Sequence, residues 1–139
     1  AGAADTIYAT YVSEVRHPVE VGADEREHLG IWLSNRLDYS FTPPDLETLG
    51  YRLVGGRLLP IGGVPGAMLM YETEAGERAT VILARNPGDA DTALRFAQGD
   101  GRATMHWTAG PVAVAVTAPL ERPALEALST AVYTQLAPG

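Results

Sequence analysis

Apolar residues recur at helical spacing in the first third of the chain. Asp24 and Glu27 have the Asp-x-x-Glu spacing of a capping-box-like helix start. The pattern predicts an amphipathic helix over residues 24–37. Its apolar side should pack on another element through residues spaced i, i+3, i+4 and i+8, namely Leu29, Trp32, Leu33 and Leu37.

The end of the chain carries a second apolar stripe. Pro123 stands near the first turn, where a proline is tolerated, and the stripe consists of Leu125, Leu128, Val132 and Leu136. Residues 5–16 are ambiguous, because Asp5 favours a helix start whereas Ile, Thr, Val and Tyr favour a strand. We prefer a helix that becomes extended by His17, since Pro18 disfavours the helical region for the residue before it.

In the middle of the chain, successive side chains alternate between two faces with a period of two residues. Residues 66–84 predict a hairpin, in which Ala67, Leu69 and Tyr71 share one face and "EAGE" supplies the turn. Three more short strands are predicted at 93–97, 102–108 and 112–118, with connections too short for crossover helices. The expected fold is therefore α+β, an antiparallel sheet of five to six strands with N-terminal and C-terminal helices packed on it in two layers.

Two glycine pairs interrupt residues 51–66, "YRLVGGRLLPIGGVPG". A P-loop needs a lysine, which the chain lacks, and a dinucleotide fingerprint must open a helix, whereas an alternating strand follows here. We interpret Gly55 and Gly56 as a bulge or bend within one strand, and "PIGGVPG" as a flexible connection to the next strand. Before them, Asp45 can cap one helical turn that Gly50 ends in a left-handed conformation.

The charge of the chain argues against nucleic acid as a partner. The formal net charge is −7, and the ten basic residues are arginines that never stand side by side. The chain has no cysteine, so disulfides and thiolate sites are excluded.

No set of residues with catalytic or metal-binding spacing is evident. His17, His28 and His106 form no zinc motif, and each is interpreted as a surface or hydrogen-bonded histidine. Ser13 and Ser129 lie in helical patterns and are expected to face solvent. We therefore expect no catalytic residue, no metal and no cofactor, and a protein that is not an enzyme.

Four segments resemble a known family. They are "YVSEVRHPVEV" (11–21), "HLGIWLSNRL" (28–37), "PDLETLGYRLVGGRLLP" (44–60) and "MLMYETEAGERATV" (68–81), and they look like the extracytoplasmic domain of proteobacterial transmembrane anti-sigma factors, the transmembrane transcriptional regulators. The resemblance runs in the same order to "AVYTQL" near the C-terminus. The positions that carry it, without an assigned role, are Arg16, His17, Pro18, Trp32, Leu33, Arg52, Gly55, Gly56 and Tyr71.

The resemblance implies a single-pass inner-membrane protein that relays an envelope stress signal to transcription. Its cytoplasmic region, absent from these residues, would hold an extracytoplasmic-function sigma factor, and residues 1–139 would be one periplasmic domain with an unknown periplasmic partner. Residues 1–16 would be the membrane-proximal segment and 17–139 the globular body. The oligomeric state and the inducing signal stay open.

Two other functions compete with this interpretation. The first is a periplasmic small-ligand binding module whose pocket is lined by Met68, Met70, Tyr71 or Trp107. The second is a hydrolase with an unfamiliar site, which would need a buried acid, base or nucleophile.

Overall fold

Among the residues that the structure describes, seven antiparallel strands form one sheet in the spatial order β1-β2-β3-β4-β7-β6-β5. The computed structural model describes residues 21–22, 26–86, 92, 94–99 and 101–136. The elements are β1 (Val21–Gly22), α1 (Arg26–Leu37), a 3-10 turn (Glu47–Leu49), β2 (Arg52–Leu58), β3 (Gly66–Glu72), β4 (Arg78–Arg85), β5 (Arg95–Gly99), β6 (Arg102–Ala109), β7 (Val112–Ala118) and α2 (Arg122–Leu136).

This arrangement confirms the predicted α+β fold, with one helix before the main strands and one after them packed on an antiparallel sheet. Six strands have five to eight residues, and the two-residue β1 extends the edge beside β2. The strand predicted at 93–97 is displaced, because pairing with β6 begins at Arg95 and continues to Gly99. The predicted membrane-proximal segment 1–16 and the capping residue Asp24 lie outside the described residues.

The first face of the sheet carries both helices. The alternating side chains of β3, β4, β6 and β7 meet the apolar stripes of α1 and α2 in one large core. Leu29, Leu33 and Leu37 of α1 are all buried, as are the four stripe residues of α2. Burial of these side chains, at about 25 cal/mol per Å², is the main force that fixes the helices on the sheet.

The second face is also buried, although neither described helix packs there. Met68, Met70, Ile82 and Ala115 are exposed by 4% or less, and they cluster with Leu59, Ile61, Ala84 and Ala113. The central strands β3, β4 and β7 therefore consist almost entirely of buried residues rather than alternating buried and exposed ones.

The predicted flexible connection is instead a tight, hydrogen-bonded hairpin. Ile61 and Val64 bond to each other's backbone at 2.9 and 3.1 Å, and Gly62 and Gly63 both have positive φ, 57° and 84°. Two consecutive left-handed residues are what a type I′ hairpin turn requires, which explains the Gly-Gly pair. Ile61 is 2% exposed, so the segment is packed as well as bonded.

Gly55 and Gly56 lie within β2, as predicted, beside an irregularity in the β2–β3 register between Leu53 and Gly55. A side chain on Gly56 would lie 2.9 Å from the carbonyl oxygen of Met68 and 3.1 Å from Leu29 Cδ1. Glycine is thus needed here for the close approach of β3 and α1 to the strand.

Candidate functional site

An open groove of about 520 Å³ runs beside α1. One wall is the exposed side of the helix, and the other is the extended segment after it; together they contribute Glu27, Gly30, Ile31, Ser34, Asn35, Ser40, Phe41, Thr42 and Pro43. Ile31 is 56% exposed, which is high for a branched aliphatic side chain. The groove therefore combines an accessible apolar residue with amide, hydroxyl and carboxylate groups.

The wall opposite α1 is held by hydrogen bonds from α1 itself and from the sheet. The Ser34 hydroxyl donates to the carbonyl of Phe41 at 3.0 Å and accepts from its N–H at 3.1 Å. The Tyr71 hydroxyl donates to the Pro44 carbonyl at 2.7 Å from the sheet below. These bonds join backbone atoms of the wall to side chains of α1 and β3.

The same segment is also tied to the C-terminal helix. The backbone N–H of Asp45 donates to Gln135 Oε1 at 2.7 Å, and Gln135 Nε2 donates back to the Asp45 carbonyl at 2.8 Å. The Tyr39 hydroxyl donates to the carbonyl of Leu136 at 3.1 Å. These three bonds link the groove wall to the end of α2, so the position of the wall depends on the position of this helix.

Asp38 begins this wall in a strained conformation. Its φ is 54°, the left-handed region that asparagine and aspartate tolerate better than other residues with side chains. Arg85 Nη1 donates to the Asp38 carbonyl at 2.8 Å and lies 3.1 Å from Oδ2. This turn ends α1 and directs the chain over the sheet.

The groove holds no pair of groups that could act together as nucleophile and base among the described residues. Ser34 is its only hydroxyl with a defined partner, and that partner is the backbone of Phe41. Burial raises the pKa of Tyr39 behind the wall, which keeps its phenol protonated.

A second cleft of about 430 Å³ lies between the end of α1 and the β2–β3 hairpin. Its lining is largely apolar, from Arg36, Leu58, Leu59, Pro60, Gly63, Val64, Pro65 and Gly66. The hairpin that was predicted to be a loose connection therefore forms one side of a cleft.

The residues that carry the family resemblance are placed in several environments. Arg16, His17 and Pro18 lie outside the described residues. Leu33 is fully buried in the main core and Trp32 is half-buried against it, whereas Arg52 is exposed and lies 3.9 Å from Glu72. None of those described lines the groove.

Three of the family positions are close in space. Gly55 and Gly56 in β2 pair with β3, the strand that contains Tyr71. Tyr71 is 1% exposed and reaches the groove wall through Pro44. Sequence reasoning missed the groove itself, and its only signal was Ile31, an apolar residue on the polar side of the predicted helix.

One prediction about a polar residue is wrong. Ser129 does not face solvent: it is 0% exposed on α2, and its hydroxyl has no hydrogen-bond partner. His106 was interpreted as a surface or hydrogen-bonded histidine that faces away from Met105 and Trp107. It does lie on the opposite face of β6 from them, but with 7% exposure it is not a surface residue, which leaves only the hydrogen-bonded alternative. His28 is exposed, as predicted.

The residues proposed for a small-ligand pocket do not meet around a cavity. Tyr71 and Trp107 are in the core of the first face, whereas Met68 and Met70 are in the cluster of the second face. All four have exposed fractions of 4% or less. Neither the groove nor the cleft is lined by them.

Comparison with known proteins gave no relative: no protein-family description, no curated protein and no solved structure matches the chain. Within the described ranges, no three His, Cys, Asp or Glu side chains are grouped so that they could bind a metal ion. No helix among the residues that the structure describes has the length and hydropathy needed to span a membrane.

Proposed function

We propose that this chain is the extracytoplasmic domain of a single-pass membrane anti-sigma factor, and that it binds a protein partner rather than catalysing a reaction. It would lie in the periplasm and relay an envelope signal that controls release of an extracytoplasmic-function sigma factor. The sigma factor would bind a cytoplasmic region outside these residues. The proposal rests on the four segments that resemble this family.

The packing of those segments supports the proposal. The described parts of three of them, residues 28–37, 44–60 and 68–81, contact one another directly. Leu29 of the first and Leu69 of the third both approach Gly56 of the second, and Tyr71 bonds to Pro44. Segments that matched the family only at scattered surface residues would not pack against one another in this way.

The groove beside α1 is the surface we assign to the periplasmic partner. Its rigid wall and the exposed Ile31 favour a peptide or a protein loop, since an apolar anchor in a polar rim is typical of such interfaces. A signal can be transmitted only if the partner binds two states of the domain with different affinity.

The test uses the complete reading frame that encodes the chain. We expect it to encode a segment of about 20 apolar residues ahead of Ala1, and we expect the full-length protein to retain a sigma factor when purified in detergent. Deleting the gene should raise transcription from promoters of that sigma factor. A reading frame without such a segment, or a deletion with no effect on any sigma-dependent promoter, would contradict the proposal.

The cleft at the β2–β3 hairpin favours a second candidate function, binding of a small apolar ligand. Its volume of about 430 Å³ lies in the usual range for ligand sites. Thermal unfolding with a panel of metabolites and lipids tests this, because a ligand at 100 times its Kd stabilises a protein by about 2.7 kcal/mol. The variant Val64→Asp should abolish any shift that arises at this cleft.

A further inference from the structure

The cleft between the end of α1 and the β2–β3 hairpin has an almost entirely apolar wall. The hairpin side of this wall consists of two glycines together with Leu58, Leu59, Pro60, Val64 and Pro65. Leu58 and Val64 are only half-buried, so part of the apolar surface is accessible to a ligand. A chain of methylene groups laid against it would remove this surface from water, which favours binding.

The backbone of the hairpin offers few hydrogen bonds to a ligand. The N–H groups of Leu59, Ile61 and Val64 donate to carbonyls of the hairpin itself at 2.9 to 3.1 Å. Pro60 and Pro65 have no N–H to donate. A polar metabolite would lose hydrogen bonds to water along this wall and regain few of them. The wall therefore favours an alkyl chain over a sugar or a nucleotide.

Arg36 is the one charged side chain among the described residues that line the cleft. It stands in the last turn of α1 and is exposed. It forms no ion pair within the part of the chain that the structure describes, whereas Arg52, Arg78, Arg85 and Arg122 each lie within 4.0 Å of a carboxylate. A guanidinium presents its donors in a planar fork that fits a carboxylate or a phosphate.

A second guanidinium lies beside the same wall. Arg57 Nε donates to the carbonyl of Leu58 at 3.0 Å, which holds Arg57 next to a lining residue. Two positive charges thus flank an apolar cleft in a chain whose net charge is −7. We infer that the cleft binds a single-chain amphiphile with an anionic head, which pairs with Arg36. This inference deepens the ligand-binding candidate above and does not depend on the anti-sigma assignment.

The position of the cleft at the end of α1 makes Arg36 necessary for such a ligand. The last carbonyls of a helix carry a partial negative charge, which repels an anion close to the last turn. Without the guanidinium, the cleft should bind a neutral head at least as well as an anionic one. Arg36 would therefore determine which head is accepted, and the hairpin would bind the alkyl chain.

Three probes with the same alkyl chain test the inference: decanoate, decyl phosphate and uncharged decanol. Titration calorimetry with the 139-residue chain, at concentrations where each probe is monomeric, gives their Kd values. We expect an anionic probe to bind about fivefold more tightly than decanol, which is the effect of one exposed ion pair. The difference should shrink as the salt concentration rises. A gain for decanoate alone identifies a carboxylate ligand, and a gain for decyl phosphate alone identifies a phosphate ligand.

Matched variants locate the anionic head. Arg36→Gln should remove the gain of the anionic probes and leave the affinity for decanol unchanged. Arg36→Glu should reverse the preference, so that decyltrimethylammonium binds more tightly than decanoate. Arg95→Gln is the control, because Arg95 is also exposed but lies on β5, at the other edge of the described sheet. It removes the same net charge and should keep the gain.

The possible results separate the inference from the two proposals above. Equal affinities of the three probes overturn the inference and leave the apolar-ligand candidate standing. A preference for anions that survives Arg36→Gln, or that Arg95→Gln also removes, overturns it because the head would then lie elsewhere or respond only to net charge. No binding of any probe contradicts both the inference and the ligand candidate. The anti-sigma assignment is tested separately by the reading frame.

Discussion

The Tyr71 hydroxyl lies 2.7 Å from the carbonyl oxygen of Pro44 and donates a hydrogen bond to it across 27 residues of sequence. Tyr71 is in the centre of the sheet, and Pro44 belongs to the segment that forms one wall of the groove. Both residues are buried, so water cannot replace the bond. This contact connects β3 of the sheet to the surface that we assign to a partner.

Removing that hydroxyl should destabilise the domain. Tyr71→Phe leaves the Pro44 carbonyl buried without this donor, which costs about 1–3 kcal/mol of the free energy of unfolding. Urea denaturation followed by circular dichroism measures the loss. Tyr133→Phe is the matched control: Tyr133 is 44% exposed, and its ring keeps its edge contact with Trp107. Equal stability of the two variants would show that the Tyr71 bond contributes nothing.

Gly56 should tolerate no side chain. In Gly56→Ala the new methyl group would lie 2.9 Å from a backbone oxygen of β3, so the strand pair must shift. We expect a loss of about 1–3 kcal/mol in the free energy of unfolding. Gly63→Asn is the control, because nothing lies within 4 Å of a side chain at that position and asparagine accepts positive φ. Gly63→Asn should lower the free energy of unfolding by less than about 1 kcal/mol. A Gly56→Ala variant as stable as this control would contradict the close approach of β3 and α1 to Gly56.

The sequence predicted those parts of the fold in which local chemistry and tertiary structure agree. The stripe of α1, the "EAGE" turn and the left-handed Gly50 depend on residues a few positions apart, so their patterns are visible in the chain. Asp45 accordingly accepts a bond from the N–H of Glu47 at 3.1 Å at the start of the 3-10 turn. Strand β5 was misplaced by two residues because its register is set by β6, not by its own alternation.

The candidate site could not be predicted in the same way. The groove depends on contacts over long separations, such as Asp45 with Gln135, 90 residues away. Likewise, the burial of His106 and Ser129 depends on what packs above each of them, and a period of two or 3.6 says only which side of an element a residue occupies. Polarity suggested exposure for Ser129 and left His106 either exposed or hydrogen-bonded, and packing buried both.

Alkaline pH should destabilise the protein through Tyr51. Burial, and then the negative charge of Glu77, raises the pKa of this phenol above its ordinary value of 10.0. As the pH rises past about 10, the unfolded chain releases a proton that the folded state retains, so unfolding is favoured. The contribution of Tyr51 to stability is complete below the unfolded pKa and is lost as pH rises through the folded pKa.

Urea midpoints measured between about pH 8 and pH 11 test this linkage. In Tyr51→Phe the decline with pH should be shallower than in the unmodified chain, and in Glu77→Gln it should be intermediate because only the smaller cause is removed. Tyr39, whose pKa is also raised by burial, accounts for part of the decline that remains. Parallel curves for all three proteins would contradict the assignment to Tyr51.

Two serines on the two helices should respond in opposite ways to the same substitution. Ser129→Ala removes a buried hydroxyl that has no partner, so the desolvation cost of that group disappears and the free energy of unfolding should be unchanged or higher. Ser34→Ala instead breaks two bonds to Phe41, and we expect a loss of about 1–2 kcal/mol. Because the volume change is identical, the difference between the variants isolates hydrogen bonding from packing. If Ser129→Ala is the more destabilising of the two, the Ser129 hydroxyl has a partner and the Ser34 bonds do not hold the groove wall.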